Sequence, residues 1–155
     1  MLSVVSFTPE DKVLDLGCGI GVVGLVAAKH GAQVVMSDVD PLALDVAKQN
    51  VILNPVEGVK LVLSDGFKQL EESGFTLILS NPPYHTDFSV AKHFIEKGFN
   101  RLVIGGKLVM VTKRVEWYKN KLTAIFGGVV MHSVEGYTVF VAEKRRENYA
   151  NTRAR

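Results

Sequence analysis

The chain has 155 residues, a formal net charge of +2, 47% hydrophobic and 22% charged residues, which suits one domain with a real core and excludes a disordered chain. No apolar run approaches the roughly 20 residues that span a bilayer, and the opening Met1-Leu2-Ser3-Val4-Val5-Ser6-Phe7 lacks the basic region of a secretory signal. The single cysteine, Cys18, cannot form an internal disulfide and fits a reducing cytoplasm, while His30, His85, His93 and His132 are too scattered for a zinc motif, so no metal is expected.

Thr8-Pro9-Glu10-Asp11 reads as a turn into the apolar strand Lys12 to Leu16, and Gly17-Cys18-Gly19-Ile20-Gly21 follows at once. Val22 to His30 is a helical stretch with Gly31 as its stop. A second strand, Gln33 to Ser37, ends at Asp38. Asp40 then caps a helix with Pro41 at its first position, and Leu42, Ala43, Val46 and Ala47 are expected to form its buried face. Asn54-Pro55 breaks that helix ahead of a third strand, Val59 to Leu63, which closes on Ser64-Asp65-Gly66. Phe75 to Ser80 is the fourth strand. Val90, Ala91, Phe94 and Ile95 give the next helix an apolar stripe, with Gly98 as its end. Leu102 to Ile104, a turn at Gly105-Gly106 and Lys107 to Thr112 supply the fifth strand. Val115, Tyr118, Leu122, Ile125 and Phe126 mark an amphipathic helix stopped by Gly127-Gly128. Val129 to Ser133 and Tyr137 to Glu143, joined by Val134-Glu135-Gly136, lack a helix between them and form a hairpin.

Strands alternating with helices predict an α/β fold: a Rossmann-like, doubly wound, mostly parallel seven-stranded sheet whose C-terminal hairpin adds an antiparallel strand. Residues 1–143 form the domain. Residues 144–155 read as a flexible basic tail, with five Lys or Arg against Glu147, on a body that is slightly acidic. Such a tail attracts phosphate without regard to sequence.

Two motifs carry chemistry. Gly19-Ile20-Gly21-Val22-Val23-Gly24 fits the dinucleotide pattern G-x-G-x-x-G, with Asp38 placed for a ribose. Read one step earlier, Asp15-Leu16-Gly17-Cys18-Gly19-Ile20-Gly21 is an acid followed by G-x-G-x-G, and a carboxylate beside the loop suits a cationic ligand better than a pyrophosphate. S-adenosylmethionine carries an ammonium and a sulfonium. The second motif is Asn81-Pro82-Pro83-Tyr84 at the end of the fourth strand. The prolines stiffen the turn, and Asn81 Oδ1, the Pro82 carbonyl and the Tyr84 ring together suit a planar group with an exocyclic NH2.

With Asp15 to Gly21, Asp38, Ser64-Asp65 and Asn81 to Tyr84 in this order, the chain resembles the class I S-adenosylmethionine-dependent methyltransferases with an Asn-Pro-Pro-Tyr/Phe motif. Asn-Pro-Pro-Tyr-His and the segment Phe126-Gly127-Gly128 to Gly136-Tyr137 are similar, more narrowly, to the small domain of bacterial rRNA guanine-N2 methyltransferases. The resemblance implies that Asp15, Gly17, Gly19 and Gly21 surround the methionine part of the cofactor. It also implies that Asp38 holds the ribose, Asp65 the adenine amino group, and that Cys18, Val39, Gly66 and Asn81 complete the cofactor set. Asn81, Pro82, Pro83 and Tyr84 are the implied catalytic residues and RNA, as rRNA, the implied partner. His85 has two equal readings, a contact to the base or a phosphate and a loop histidine satisfied by water. Lys113, Arg114, Lys119 and Lys121 read first as a solvated helix face and second as groups for RNA phosphates. His93, His132 and the Cys18 thiol are expected to take no part in the chemistry. Such domains carry a helix and loop ahead of the first strand, which this chain, opening at Met1, is expected to lack. The same turn would equally serve methylation of a protein glutamine, and a cofactor- or RNA-binding module without catalysis is the non-enzymatic alternative.

Overall fold

A computed structural model of the chain describes residues 2–82 and 88–150. It contains β1 (Lys12–Leu16), α1 (Val22–Lys29), β2 (Gln33–Asp38), α2 (Pro41–Leu53), β3 (Val59–Leu63), β4 (Phe75–Ser80), α3 (Ser89–Arg101), β5 (Leu102–Thr112), α4 (Val115–Phe126), β6 (Val130–Val134) and β7 (Tyr137–Glu143). The strands form one sheet in the order β3-β2-β1-β4-β5-β7-β6. β1 to β5 are parallel, and the hairpin folds back so that β7 pairs antiparallel with β5 on one side and β6 on the other. The expected sheet is therefore the observed one, with the last strand inserted between β5 and its own hairpin partner.

The winding reverses between β1 and β4, and at that switch point the loops leaving the carboxyl ends diverge and leave a crevice. One apolar layer, around Val13, Met36, Leu79 and Val109, lies under α1 and α2. The other, around Leu16, Ile78, Phe99 and Phe140, lies under α3 and α4. No helix joins β3 to β4; instead Phe67 and Leu70 sink into the second layer. Arg101 staples that connection, donating from Nη1 to the Leu70 and Glu72 carbonyls at 2.7 and 2.8 Å. Among the described residues no helix is long and apolar enough to cross a membrane.

Four expectations are corrected. α2 buries Ala47 fully but leaves Leu42 75% and Val46 42% exposed. Ala43 and Ala47 share one helical row and Leu42 and Val46 the next, about 100° round, and only the alanine row meets the sheet. Gly98 does not end α3, because that position rides over Ile78 and Leu108 while Ile95 and Phe99 bury on either side, and this packing outweighs the propensity cost of about 1 kcal/mol for glycine. Gly105-Gly106 does not divide the fifth strand, which runs on as β5 through a register shift against β4. A side chain at Gly106 would stand 2.9 Å from the Phe75 and Val103 carbonyl oxygens. Finally, residues 144–150 are not a free tail but are tied to the domain at both ends, with Arg145 to Asn148 exposed between. Lys144 is buried, exchanges backbone hydrogen bonds with Gly105 and Gly106, and donates from Nζ to the Leu102 carbonyl at 3.0 Å. Tyr149 donates to the Glu96 carbonyl and Ala150 N to the Ile125 carbonyl, tying the segment to α3 and α4.

Candidate active site

The turn after β1 is held by the strand beside it. Cys18 N donates to the Ser37 carbonyl at 2.8 Å, and Gly19 N to Asp38 Oδ2 at 2.8 Å. Asp38 Oδ1 accepts from Asp40 N at 2.9 Å, so this carboxylate fixes the glycine loop and the start of α2 together. Each oxygen retains a lone pair for a further donor such as a ribose hydroxyl. Gly17 and Gly19 have φ of +71° and +55°, and a Cβ at either would meet nothing within 4 Å. Glycine is required there by the backbone, and the space above stays open.

Asp15 lies under this loop. It is 5% exposed, and its Oδ2 accepts Gly24 N at 3.0 Å, which caps α1, a helix whose own N-cap, Gly21, has no side chain to offer. Burial, with a smaller push from Asp38, raises the Asp15 carboxyl to about 6 against the pull of the Gly24 N–H. Burial and then the two carboxylates raise the Cys18 thiol to about 12, so it stays protonated. Gly21 and Gly24 serve packing: a Cβ would stand 3.2 Å from Ala47 Cβ at the first and 2.5 Å from Met36 Cε at the second.

A cleft of about 430 Å³ opens at the carboxyl edge. It brings together Gly17, Asp38, Val39, Asp65, Gly66 and Asn81, all singled out in the sequence, and adds Leu16, Ser37, Ser64, Val90 and Phe94. Asp15, Cys18, Gly19 and Gly21, singled out with them, do not line it. Asn81 is exposed on the cleft and Pro82 is buried, while Pro83, Tyr84 and His85 lie outside the described residues. Asp65 is exposed with a loose ion pair to Lys68 at 3.1 Å, a partner it can exchange at little cost.

The far wall was only half legible. Val90 and Phe94 read as a core stripe in the sequence, and Phe94 is indeed buried in the α3 layer with Val90 packed against it, but both also line the cleft. His93, expected to be a bystander, closes the loop after β3: its Nε2 accepts Phe67 N at 3.1 Å. Burial, then Lys68 and Lys97, lower its pKa, which keeps that nitrogen an acceptor. A Cβ at Gly66 would lie 2.5 Å from the His93 ring, so only glycine fits between them. His132 is exposed in the middle of β6. Lys121 is withdrawn from any phosphate role, because its Nζ lies 2.6 Å from Glu96 Oε2 in a largely buried pair between α4 and α3.

Two hydroxyls stand out against this background. Ser37 Oγ and Ser80 Oγ are buried and without a hydrogen-bond partner. Both serines are register partners of Leu16, one on β2 and one on β4, so the pair flanks the floor of the cleft on the α3 face of the sheet. A buried hydroxyl without a partner costs about 1–3 kcal/mol, and native proteins keep few of them.

Residues 1–141 match the model of the family described as methyltransferase small domain. The chain belongs to that family. Membership selects the acid-plus-glycines reading of the first loop over the dinucleotide one. The methyltransferase domain is 35% identical over 133 residues to a ribosomal RNA small subunit methyltransferase C of Cronobacter sakazakii, covering 82% of this chain and 38% of the relative. It is 30% identical over 135 residues to a ribosomal RNA large subunit methyltransferase G of Yersinia enterocolitica, covering 81% and 34%. Among solved structures it matches the T. thermophilus 16S rRNA N2 G1207 methyltransferase RsmC, in complex with AdoMet and guanosine. The TM-score is 0.82 and the identity 31%, over 89% of this chain and 38% of that one. The chain thus spans well under half the length of these relatives. Among the described residues no group of three or more His, Cys, Asp or Glu lies close enough to hold a metal ion.

Proposed function

We propose that this domain, in the cytoplasm, transfers a methyl group from S-adenosylmethionine to an exocyclic amino nitrogen of a nucleobase, guanine N2 in rRNA. The observation that carries the reading is the position of Asn81: its amide stands on the same cleft as Asp38, Asp65 and the first glycine turn. Methyl donor and amino acceptor would then meet in one cavity. The relatives named as rRNA methyltransferases, and the RsmC structure with AdoMet and guanosine, support the substrate class.

The residues fit the cofactor. The cleft lining includes apolar Leu16, Val39, Val90 and Phe94, which would suit a purine, and polar Ser37, Asp38, Ser64, Asp65 and Asn81. Asp38 would accept from the ribose hydroxyls and Asp65 from the adenine amino group. Ser37 lines the cleft with a hydroxyl that has no protein partner, and Ser80, on the other side of Leu16, carries a second; a bound ligand or an ordered water would satisfy them. Asp15 would act from beneath the loop as the negative charge facing an ammonium. When bound, the cofactor supplies a methyl group on a positively charged sulfur.

The chain's own part is orientation and charge. A guanine amino lone pair is delocalised into its ring and is a poor nucleophile. Accepting its two N–H groups with Asn81 Oδ1 and the Pro82 carbonyl would turn that lone pair toward the methyl and stabilise the positive charge that develops on nitrogen. By resemblance, Pro83 would stiffen the turn and Tyr84 would stack on the base. Incubation with methyl-labelled S-adenosylmethionine and unmethylated rRNA, followed by digestion to nucleosides, is expected to give labelled N2-methylguanosine. Label in protein glutamine, or in another nucleoside with guanosine unlabelled, would overturn the assignment; no transfer at all would leave a binding module.

A further inference from the structure

The carboxyl edge of the sheet carries a second cluster, on the side of Asn81 away from the cleft. Ser80 pairs with Met110, so the chain leaving β4 at Asn81 and the chain leaving β5 at Lys113 emerge side by side. Thr112 pairs with Thr138, which brings Tyr137 to the same edge one strand further on. These positions lie about 5 and 10 Å from β4, given the spacing of strands in a sheet.

At this edge aromatic rings and cations alternate. Phe88, at the start of α3, stacks on Trp117 with centroids 4.4 Å apart and planes 9° apart. The Arg114 guanidinium carbon lies 4.1 Å from the Phe88 centroid, which with Trp117 on the opposite face makes a three-layer stack. Lys113 Nζ lies 4.8 Å from the Tyr137 centroid. Tyr118, buried beneath, meets Trp117 edge-on at 5.2 Å and holds it in place. Lys113 and Arg114 are exposed, and Trp117 and Phe88 are half-buried.

Core packing explains Tyr118, and it accounts for part of Phe88 and Trp117, which both pack against the α3 layer. It does not explain two cations laid over rings at the lip of the sheet. Flat rings beside exposed cations are what an unpaired nucleic acid strand recognises: bases stack on the rings and phosphates meet the cations. A closed duplex offers no base face, and a glutamine side chain needs neither group. We propose that this rim binds the nucleotides flanking the target base in an unpaired stretch of RNA, with Trp117 carrying a stacked base and Lys113 and Arg114 the adjoining phosphates. The proposal rests on the reading that the target base enters at Asn81, which the strand spacing puts within one or two nucleotides of the rim.

Trp117 is the one tryptophan in the sequence, so its emission reports on the rim alone. The probes are a purine-rich RNA decamer, the same decamer in duplex, heparin as a polyanion without bases, and S-adenosylhomocysteine. The unpaired decamer is expected to quench Trp117 with an affinity that falls steeply with salt; duplex should quench several-fold less, and heparin and S-adenosylhomocysteine little. The paired substitution Lys113→Gln, Arg114→Gln should weaken decamer binding about tenfold or more and reduce the salt slope by about 1.4, two contacts at ~0.7 each for a single strand. Arg114→Lys, which keeps the charge and loses the flat layer, serves as the milder variant, and unchanged S-adenosylhomocysteine affinity checks that both variants fold. Decamer binding that leaves Trp117 emission unchanged, affinity unaltered in both variants, or equal quenching by a glutamine-containing peptide would each overturn the rim. Quenching is read without methyl transfer, so failure of the rim and failure of the activity are separate results.

Discussion

Replacing Asp15 by Asn should stabilise the empty domain and weaken cofactor binding at the same time. The carboxyl is buried and raised from 3.8 to about 6, chiefly by desolvation. For a carboxylate raised in the fold, the neutral form is favoured there. The contribution to stability is therefore complete below about pH 3.8, falls as pH rises from there to 6, and stays lost above 6. At 1.36 kcal/mol per unit, the ionised group costs the fold about 3 kcal/mol at neutral pH. An Asn amide oxygen still accepts the Gly24 N–H, while its new NH2 group must find a partner. The expected gain at pH 7.5 is between about 1 and 3 kcal/mol. Urea unfolding of the ligand-free chain at pH 7.5 and pH 4 measures it. The gain should be present at the first pH and largely gone at the second. Calorimetry with S-adenosylmethionine should show affinity reduced tenfold or more in the variant, and in the wild type an affinity that rises with pH through about 6 as Asp15 ionises. An equal loss of stability at both pH values would refute the picture of a strained carboxylate, and unchanged cofactor affinity would reduce Asp15 to a helix cap.

Asn81→Ala should lower turnover about a hundredfold, the scale of one oriented polar contact to a developing charge, and leave S-adenosylhomocysteine affinity within about twofold; equal losses in both would contradict the division between acceptor and cofactor residues. Ser37→Ala removes a hydroxyl that has no partner, so thermal unfolding of the empty domain should be unchanged or raised, while ligand affinity drops about threefold to tenfold for one neutral hydrogen bond. A lower melting temperature would mean that the hydroxyl is satisfied within the protein. Acid should open the loop after β3, because the His93 pKa is lowered in the fold: its contribution is complete above about 6.5 and is lost as pH falls below that value. Protection of the Phe67 amide against hydrogen exchange, measured relative to its intrinsic rate, should therefore fall as pH drops below 6.5, and His93→Gln should remove that pH dependence.

The sheet was legible because each strand is a short apolar run bounded by turn residues, and strand–helix alternation admits few topologies. The glycine turn, Asp38 and Asn81 were legible for a related reason: parallel strands send their carboxyl ends to one edge, so residues just after strands meet there whatever the rest of the chain does. Periodicity says that a helix has an apolar row, though not which row the sheet meets; hence the exposed Leu42 and Val46 of α2. Charge in a sequence says nothing of partners, so Lys121 and Lys144 read as solvated cations until Glu96 and the Leu102 carbonyl came within reach of them.

The amino-acid sequence by itself determined the class of chemistry, since an acid before three spaced glycines and an asparagine before two prolines are local patterns whose physical meaning survives without neighbours. Tertiary structure alone decided which groups are strained or unsatisfied. Asp15 became a buried cap with a raised pKa, Ser37 and Ser80 lost their partners, and Trp117, Phe88 and Arg114 came to lie in one stack. Burial and stacking belong to residues far apart in the chain, and no local pattern encodes the removal of water from a particular atom.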